Sequence, residues 1–256
     1  MREDIFRGKT AIVTGGSRGI GRAFCNALAE RGCNIVMNYN SRVDDAVVKE
    51  LEAKGVQVRT FQADVSSFDA CGRLVDYAVE QFGTVDFLVN NAGVIKDSMI
   101  KKMTEEHWDK ILDIDAKSVF NMTRHIYPVF EAKWKANGEQ GFTGSIVNMC
   151  SATAFSANIG QANYGAAKAA VAAFTMHTAR EYAKIGVTCN ALAPGFIVSD
   201  ITNALQGEAR DRYLNTIPLK RAGTGEDVAE TGLFLLRSDY MTGQIVHIDG
   251  GLIMQY

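Results

Sequence analysis

The stretch Thr10-Ala11-Ile12-Val13-Thr14-Gly15-Gly16-Ser17-Arg18-Gly19-Ile20-Gly21 sets a short β-branched run against a cluster of glycines, and a helical pattern follows over residues 23–31. Strand, tight turn and helix in that order open a parallel α/β unit. Glycines at such a junction let the main chain approach a ligand closely, and the exposed N–H groups at a helix start attract a diphosphate. Glycines also serve packing alone, so the reading depends on the rest of the chain.

The alternation continues. Residues 34–38 read as a second strand, 44–54 as a helix stopped by Gly55, 56–63 as a third strand, and 68–82 as an amphipathic helix closed by Gly83. A strand over 85–89 precedes a long helix that Thr104 can cap and that runs to about Ala136, with Pro128 kinking or ending its regular part. Further on come strand 145–149, an Ala-rich helix over 164–185, strand 187–192, helix 226–237 and strand 245–248. Such alternation forces right-handed crossovers, so the predicted architecture is α/β, a doubly wound parallel sheet of about seven strands with helices on both faces. With no repeat or linker, residues 1–256 read as a single domain, and the weakly periodic segment 197–219 reads as a substrate lid.

A formal net charge of −2 with both signs scattered gives no basic stripe for nucleic acid and no acidic tail. The opening Met1-Arg2-Glu3-Asp4 is charged where a signal peptide needs an apolar core, and no run of 18 apolar residues occurs. A soluble, cytoplasmic protein without nucleic-acid or membrane partners is expected. Five cysteines without a Cys-x-x-Cys read as reduced core thiols, Cys150 among them, and no metal site is expected.

The second strand ends in Tyr39-Asn40-Ser41-Arg42, where a fold that holds NAD usually offers a carboxylate to the adenosine ribose. Asn40, Ser41 and Arg42, with Arg18 in the glycine turn, instead offer neutral donors and cations, which suit a ribose 2′-phosphate and argue for NADP(H). The alternative leaves Arg42 in a solvated loop before the acidic helix start Asp44-Asp45. Asp64, with Val65 after it, lies at a strand's carboxyl end, placed to touch a nucleobase. In Asn90-Asn91-Ala92-Gly93 two amides can tie neighbouring strand ends together while the small pair leaves room for a flat ring, although a plain turn has the same composition. Finally, Tyr164 and Lys168 are four residues apart on one helix face, and a cation beside a phenol lowers its pKa from about 10 toward a range useful to a general acid.

Taken together, Thr14-Gly15-x-x-x-Gly19-Ile20-Gly21, Asn90-Asn91-Ala92-Gly93, Ser151, Tyr164-x-x-x-Lys168 and Pro194-Gly195 resemble, in order and spacing, the signature set of the short-chain dehydrogenase/reductase family. The likeness runs from about Arg7 to the end. Within the family, Gly160-Gln161-Ala162-Asn163-Tyr164, Pro194-Gly195-Phe196-Ile197 and Asp249-Gly250-Gly251 look most like the 3-oxoacyl-acyl-carrier-protein and acetoacetyl-CoA reductases. The resemblance implies a Rossmann-type fold in which Gly15, Ser17, Arg18, Gly19, Ile20 and Gly21 hold the cofactor diphosphate. Asn91, Ala92, Gly93, Pro194 and Gly195 would flank the cofactor, and Ile197 and Ser199 would contact its nicotinamide end. It also implies that Tyr164 protonates the substrate carbonyl oxygen, that Ser151 holds that oxygen, and that Lys168 binds the nicotinamide ribose and depresses the Tyr164 pKa. A homotetramer and a carrier-bound or small acyl thioester substrate follow from the same likeness. Reduction of another carbonyl or oxidation of an alcohol (sugar, steroid, polyketide) and a non-catalytic nucleotide-binding role are the alternatives. One position departs: Asp115 stands where the family carries an Asn that fixes a water in a proton relay. A carboxylate accepts hydrogen bonds but donates none, so Asp115 either bonds the Lys168 side through water or carries a raised pKa.

Overall fold

The computed structural model describes residues 5–198 and 208–254. Among them, strands β1 (Thr10–Val13), β2 (Asn34–Tyr39), β3 (Val58–Gln62), β4 (Phe87–Asn90), β5 (Gly144–Met149), β6 (Val187–Pro194) and β7 (Ile245–Ile248) form one sheet. All neighbours are parallel, in the order β3-β2-β1-β4-β5-β6-β7. The helices are α1 (Gly19–Glu30), α2 (Asp45–Glu52), α3 (Phe68–Phe82), α4 (Glu105–Leu112), α5 (Ser118–Ala136), α6 (Ala162–Tyr182), α7 (Glu208–Thr216) and α8 (Gly225–Arg237).

Successive strand residues point to opposite faces, so the strands divide between two cores. Ala11, Val13, Ile35, Met37, Phe87 and Val89 pack with Phe24 and Leu28 of α1 and Val228 and Leu233 of α8. Ile12, Val36, Leu88 and Ile146 pack on the other side with Leu74 of α3, Met122 and Ile126 of α5, and Tyr182 of α6. Because both faces are covered, the central strands are apolar almost throughout, as the sequence runs suggested. Each Val, Leu, Ile, Phe or Met among them contributes about 1.5–3 kcal/mol on burial, which makes the sheet the rigid base of whatever is mounted at its edge.

The helix expected over 104–136 begins at the Thr104 cap and reaches Ala136, but within it Asp113–Lys117 widens into a π turn that carries Asp115 fully into the interior; the backbone stays helical and does not break there. Nor does Pro128 end α5, which runs on to Ala136. Pro128 and Arg124, whose carbonyl loses its usual donor, both lie on the exposed side, where water serves as partner. Of segment 197–219, Ile197 is buried and bridges Gly223, and α7 covers 208–216. Ser199 lies outside the described residues.

Candidate active site

Strand order reverses between β1 and β4, so the chains leaving their carboxyl ends diverge and open a crevice. Thr14, just past β1, closes its base: Oγ1 accepts the Asn91 N–H at 2.9 Å and the Ala92 N–H at 3.0 Å. Asn91 Nδ2 donates back to the carbonyls of Thr14 at 2.9 Å and Gly15 at 3.2 Å. On the other side Asn90 Nδ2 donates to Asn148 Oδ1 on β5 at 2.8 Å. The two amides thus tie β4 to both of its neighbours. Asn38 does the same for the outer strands, accepting from Gly15 N at 3.3 Å and donating to the Ala63 carbonyl at 3.0 Å. Thr14 and Asn38 were not singled out as site builders; their signal is a polar residue ending an otherwise apolar buried strand.

Above this base, α1 starts without a side-chain cap and without an acid in its first turn. By contrast Asp44, Ser67, Thr104 and Thr224 cap α2, α3, α4 and α8. The N–H groups of α1 therefore have room for an outside acceptor. Gly21 is compelled by closeness, since a Cβ there would strike the Gly15 carbonyl and lie 2.5 Å from Asn91 Nδ2. Gly19 has φ +55° and open space where its side chain would be. Bare donors, open space and glycine contacts fit a dinucleotide diphosphate over Gly15, Ser17, Arg18, Gly19, Ile20 and Gly21. Arg18, Asn40, Ser41 and Arg42 are exposed along one side, and neither guanidinium forms an ion pair among the described residues. Asp64 is exposed beyond β3, its Oδ1 accepting from Ser66 N at 2.9 Å and Ser66 Oγ at 2.7 Å, while Val65 is buried behind it.

Helix α6 brings the remaining groups to the crevice. Asn163 is wholly buried, accepts the Tyr164 N–H at 2.8 Å and donates to the carbonyls of Lys96 at 3.2 Å and His107 at 3.1 Å. It thereby fixes the helix start that presents Tyr164, a role the sequence reading missed. Lys168 Nζ lies 5.6 Å from the Tyr164 ring centre, donates to the Met149 carbonyl at 3.0 Å and stands 3.1 Å from Asp115 Oδ2. The last contact answers the question left by the sequence: carboxylate and ammonium meet directly, with no water between them. Burial pushes the Tyr164 phenol up; Lys168 pulls it down, Asp115 pushes it up again and Ser151 pulls it down, and the net direction is upward. The expected depression by Lys168 is thus outweighed in the protein by itself. For Lys168, burial works against the charge, but Asp115 and Tyr164 favour it more, and its pKa is raised. Cys150 is a buried thiol donating to the Lys168 carbonyl at 3.2 Å, and all five cysteines are free and buried.

Residues 15–253 match the protein-family model described as enoyl-(acyl carrier protein) reductase. The 3-oxoacyl-[acyl-carrier-protein] reductase FabG of Staphylococcus epidermidis is 44% identical over 250 residues, which cover 96% of this chain and 99% of that protein. Acetoacetyl-CoA reductase of Allochromatium vinosum is 38% identical over 252 residues, 96% and 99% of the two chains. The chain belongs to the short-chain dehydrogenase/reductase family. Among solved structures, the NADH-dependent reductase A1-R′ responsible for alginate metabolism superposes with a TM-score of 0.88 at 30% identity, over 98% of this chain and 99% of that one.

In this short-chain dehydrogenase/reductase the cleft beside Ser151 is lined by Thr153, Ser156, Asn158, Gly195, Tyr213 and Leu252. Gly195 must be small, because a Cβ would lie 2.7 Å from that of Asp249. Pro194 ends β6 beside it, and Gly195 N donates to the Ile248 carbonyl at 3.0 Å. Among the described residues no cluster of His, Cys, Asp and Glu stands ready for a metal ion, and no helix is long and apolar enough to cross a membrane.

Proposed function

We propose that the protein reduces the 3-oxo group of an acyl thioester, carried on acyl carrier protein or CoA, to the 3-hydroxyacyl thioester with NADPH. The observation that carries this reading is the buried Lys168 ammonium beside the Tyr164 ring, with the Ser151 hydroxyl acting on the same phenol by hydrogen bond. When bound, the nicotinamide supplies hydride to the carbonyl carbon. Ser151 holds the carbonyl oxygen, and Tyr164 gives that oxygen its proton as charge develops there. Lys168, held by Met149 and Asp115, keeps donor capacity for a ribose hydroxyl. Arg18 and Arg42 meet the 2′-phosphate of NADP. The exposed apolar residues Phe155, Ile159, Val198, Leu219 and Met254 suit an acyl chain, with segment 197–219 covering it.

Names of relatives support the same substrate class: two of them act on 3-oxoacyl thioesters by name. The structural neighbour in alginate metabolism favours, as a second reading, a polar carbonyl, and Ser156 and Asn158 give the cleft a polar side. A non-catalytic role leaves the grouping of Ser151, Tyr164 and Lys168 without a purpose. A panel of 3-oxoacyl, enoyl, sugar, steroid and polyketide substrates, with NADPH and NADH oxidation followed by absorbance, tests the reading. The 3-oxoacyl thioesters should be the fastest, and a faster substrate of another class overturns it.

The reading extends to a homotetramer. Trp108, Phe120 and Met176, on α4, α5 and α6, are 41%, 46% and 52% exposed, and apolar side chains so placed suit second copies of the chain across two-fold axes. A monomeric mass by light scattering at micromolar concentration overturns this part alone. Five free buried thiols suit the reducing cytoplasm.

A further inference from the structure

Asp115 carries a charge that the reaction as described does not require. The side chain is wholly buried, Oδ1 accepts the Val94 N–H at 2.8 Å, and Oδ2 pairs with Lys168 Nζ at 3.1 Å. The π turn 113–117 sets it there, and Gly93 makes the room: a Cβ on Gly93 would lie 2.8 Å from Oδ2 and 3.4 Å from Lys168 Nζ. We propose that Asp115 is a positioning residue that locks the Lys168 ammonium to the main chain at Val94 and, by its charge, sets the pH range over which Tyr164 can act as acid. The inference rests on the reductase reading above.

A carboxylate can serve Val94 and Lys168 at once because both of its oxygens accept; an amide has one acceptor and turns its donors toward the other partner. Asn at this position would therefore leave either the Val94 N–H or the ammonium facing a donor. Charge matters equally. The groups that act on the Tyr164 phenol are Lys168 from α6, Asp115 from the π turn, and Ser151 and Cys150 after β5. Those that act on Lys168 are Asp115, Tyr164 and Cys150. A lone ammonium would draw the proton off the phenol, whereas the adjoining carboxylate offsets that pull and also secures the lysine's own proton. Removing the carboxylate lets the Tyr164–Lys168 pair lose its first proton earlier, whichever of the two yields it, so the sign of the effect does not depend on how the coupled pair shares its protons.

The test is the pH profile of kcat/KM for reduction of any ketone that the unmodified enzyme turns over, compared with Asp115→Asn. The high-pH limb should move down by about one unit in the variant. Loss of shape alone lowers the rate at every pH and leaves the limb in place, and that result overturns the inference. If Asp115→Asn does not fold by circular dichroism, Asp115→Ser, smaller and equally uncharged, carries the same expectation and the same overturning result. An unmodified enzyme that reduces no carbonyl overturns the reductase reading and this inference with it; turnover with an unmoved limb overturns this inference alone.

Discussion

Two lysine–aspartate pairs with buried carboxylates sit at opposite edges of the same sheet, and they are built differently. At the amino edge Lys133 Nζ donates to Asp86 Oδ1 at 2.6 Å, to the Thr143 carbonyl at 2.7 Å and to the Val85 carbonyl at 3.4 Å, while Asp86 Oδ2 accepts the Thr10 N–H at 2.9 Å. Every donor of that ammonium is used, between the starts of β1, β4 and β5. At the carboxyl edge Lys168 donates to the Met149 carbonyl at 3.0 Å and pairs with Asp115 Oδ2 at 3.1 Å, which occupies two of its three donors. The first arrangement ties strands together and is complete. The second leaves one donor of a buried ammonium over, and such a spare donor marks a place kept for something else.

The comparison is sharpened most by Tyr164→Phe, which removes the proton donor at the carboxyl edge and nothing at the amino edge. We expect kcat to fall by about 10²–10⁴-fold, with NADPH affinity within a few-fold, because the hydroxyl acts mainly in the transition state. A variant that keeps more than about a tenth of the parent kcat on its best ketone refutes the assignment.

Lys133→Met and Lys168→Met test the pairs directly. Losing Lys133 leaves Asp86 with only Lys9, 3.4 Å from Oδ1, and takes its donor from the Thr143 carbonyl, so unfolding in urea should show a loss of about 1–3 kcal/mol, while turnover per folded molecule stays within a few-fold. Losing Lys168 should instead cost about a hundredfold or more in turnover of the protein that folds. An inactive but folded Lys133→Met enzyme breaks the contrast.

How far the sequence discloses this contrast depends on range. Helix α3 was legible to the residue, because Gly83, at φ +76°, supplies a local stop, and β1 and β7 were legible because apolar runs end at polar or glycine residues. The five motifs lie at or near the ends of strands and helices, where a crevice at the sheet's carboxyl edge would be. What escaped is non-local. The π turn depends on Asp115 finding Val94 and Lys168, residues 21 and 53 positions away, and no periodicity over 104–136 records such partners. Likewise the spacing of Tyr164 and Lys168 gave the cation but neither the burial nor the carboxylate that reverse the shift on the phenol. Asn38 read only as the last residue of a strand and Asn163 only as part of a motif, and the fold alone shows them holding three strand ends and a helix start.

The cofactor contrast is smaller. Arg18 and Arg42 lie at the carboxyl edge, far from the satisfied pair, and one charge-assisted contact to a 2′-phosphate accounts for about 1.4 kcal/mol. NADPH should therefore exceed NADH by about tenfold in kcat/KM, and Arg42→Ala should reduce the ratio while leaving the NADH value unchanged. Equal turnover of the two cofactors by the parent enzyme sinks the NADP reading.

The smallest effect separates the lysines by sign. Burial holds the Lys133 pKa below the usual lysine value despite Asp86, so above that folded pKa the native state binds fewer protons than the unfolded chain and stability rises with pH. At lower pH both states are protonated and the burial penalty is fully present. Lys168 is the reverse: burial opposes its charge, but Asp115 and Tyr164 raise its pKa, so its contribution is complete below the unfolded pKa and is lost as pH rises through the folded one. Other lysines and tyrosines titrate in the same range, so the informative quantity is the difference in unfolding free energy between the parent and each Lys→Met variant, followed across about pH 9–11. That difference should grow with pH for Lys133 and shrink for Lys168. The same sign for both would mean that the two pairs share one electrostatic character, and the distinction drawn from their hydrogen bonds would fail.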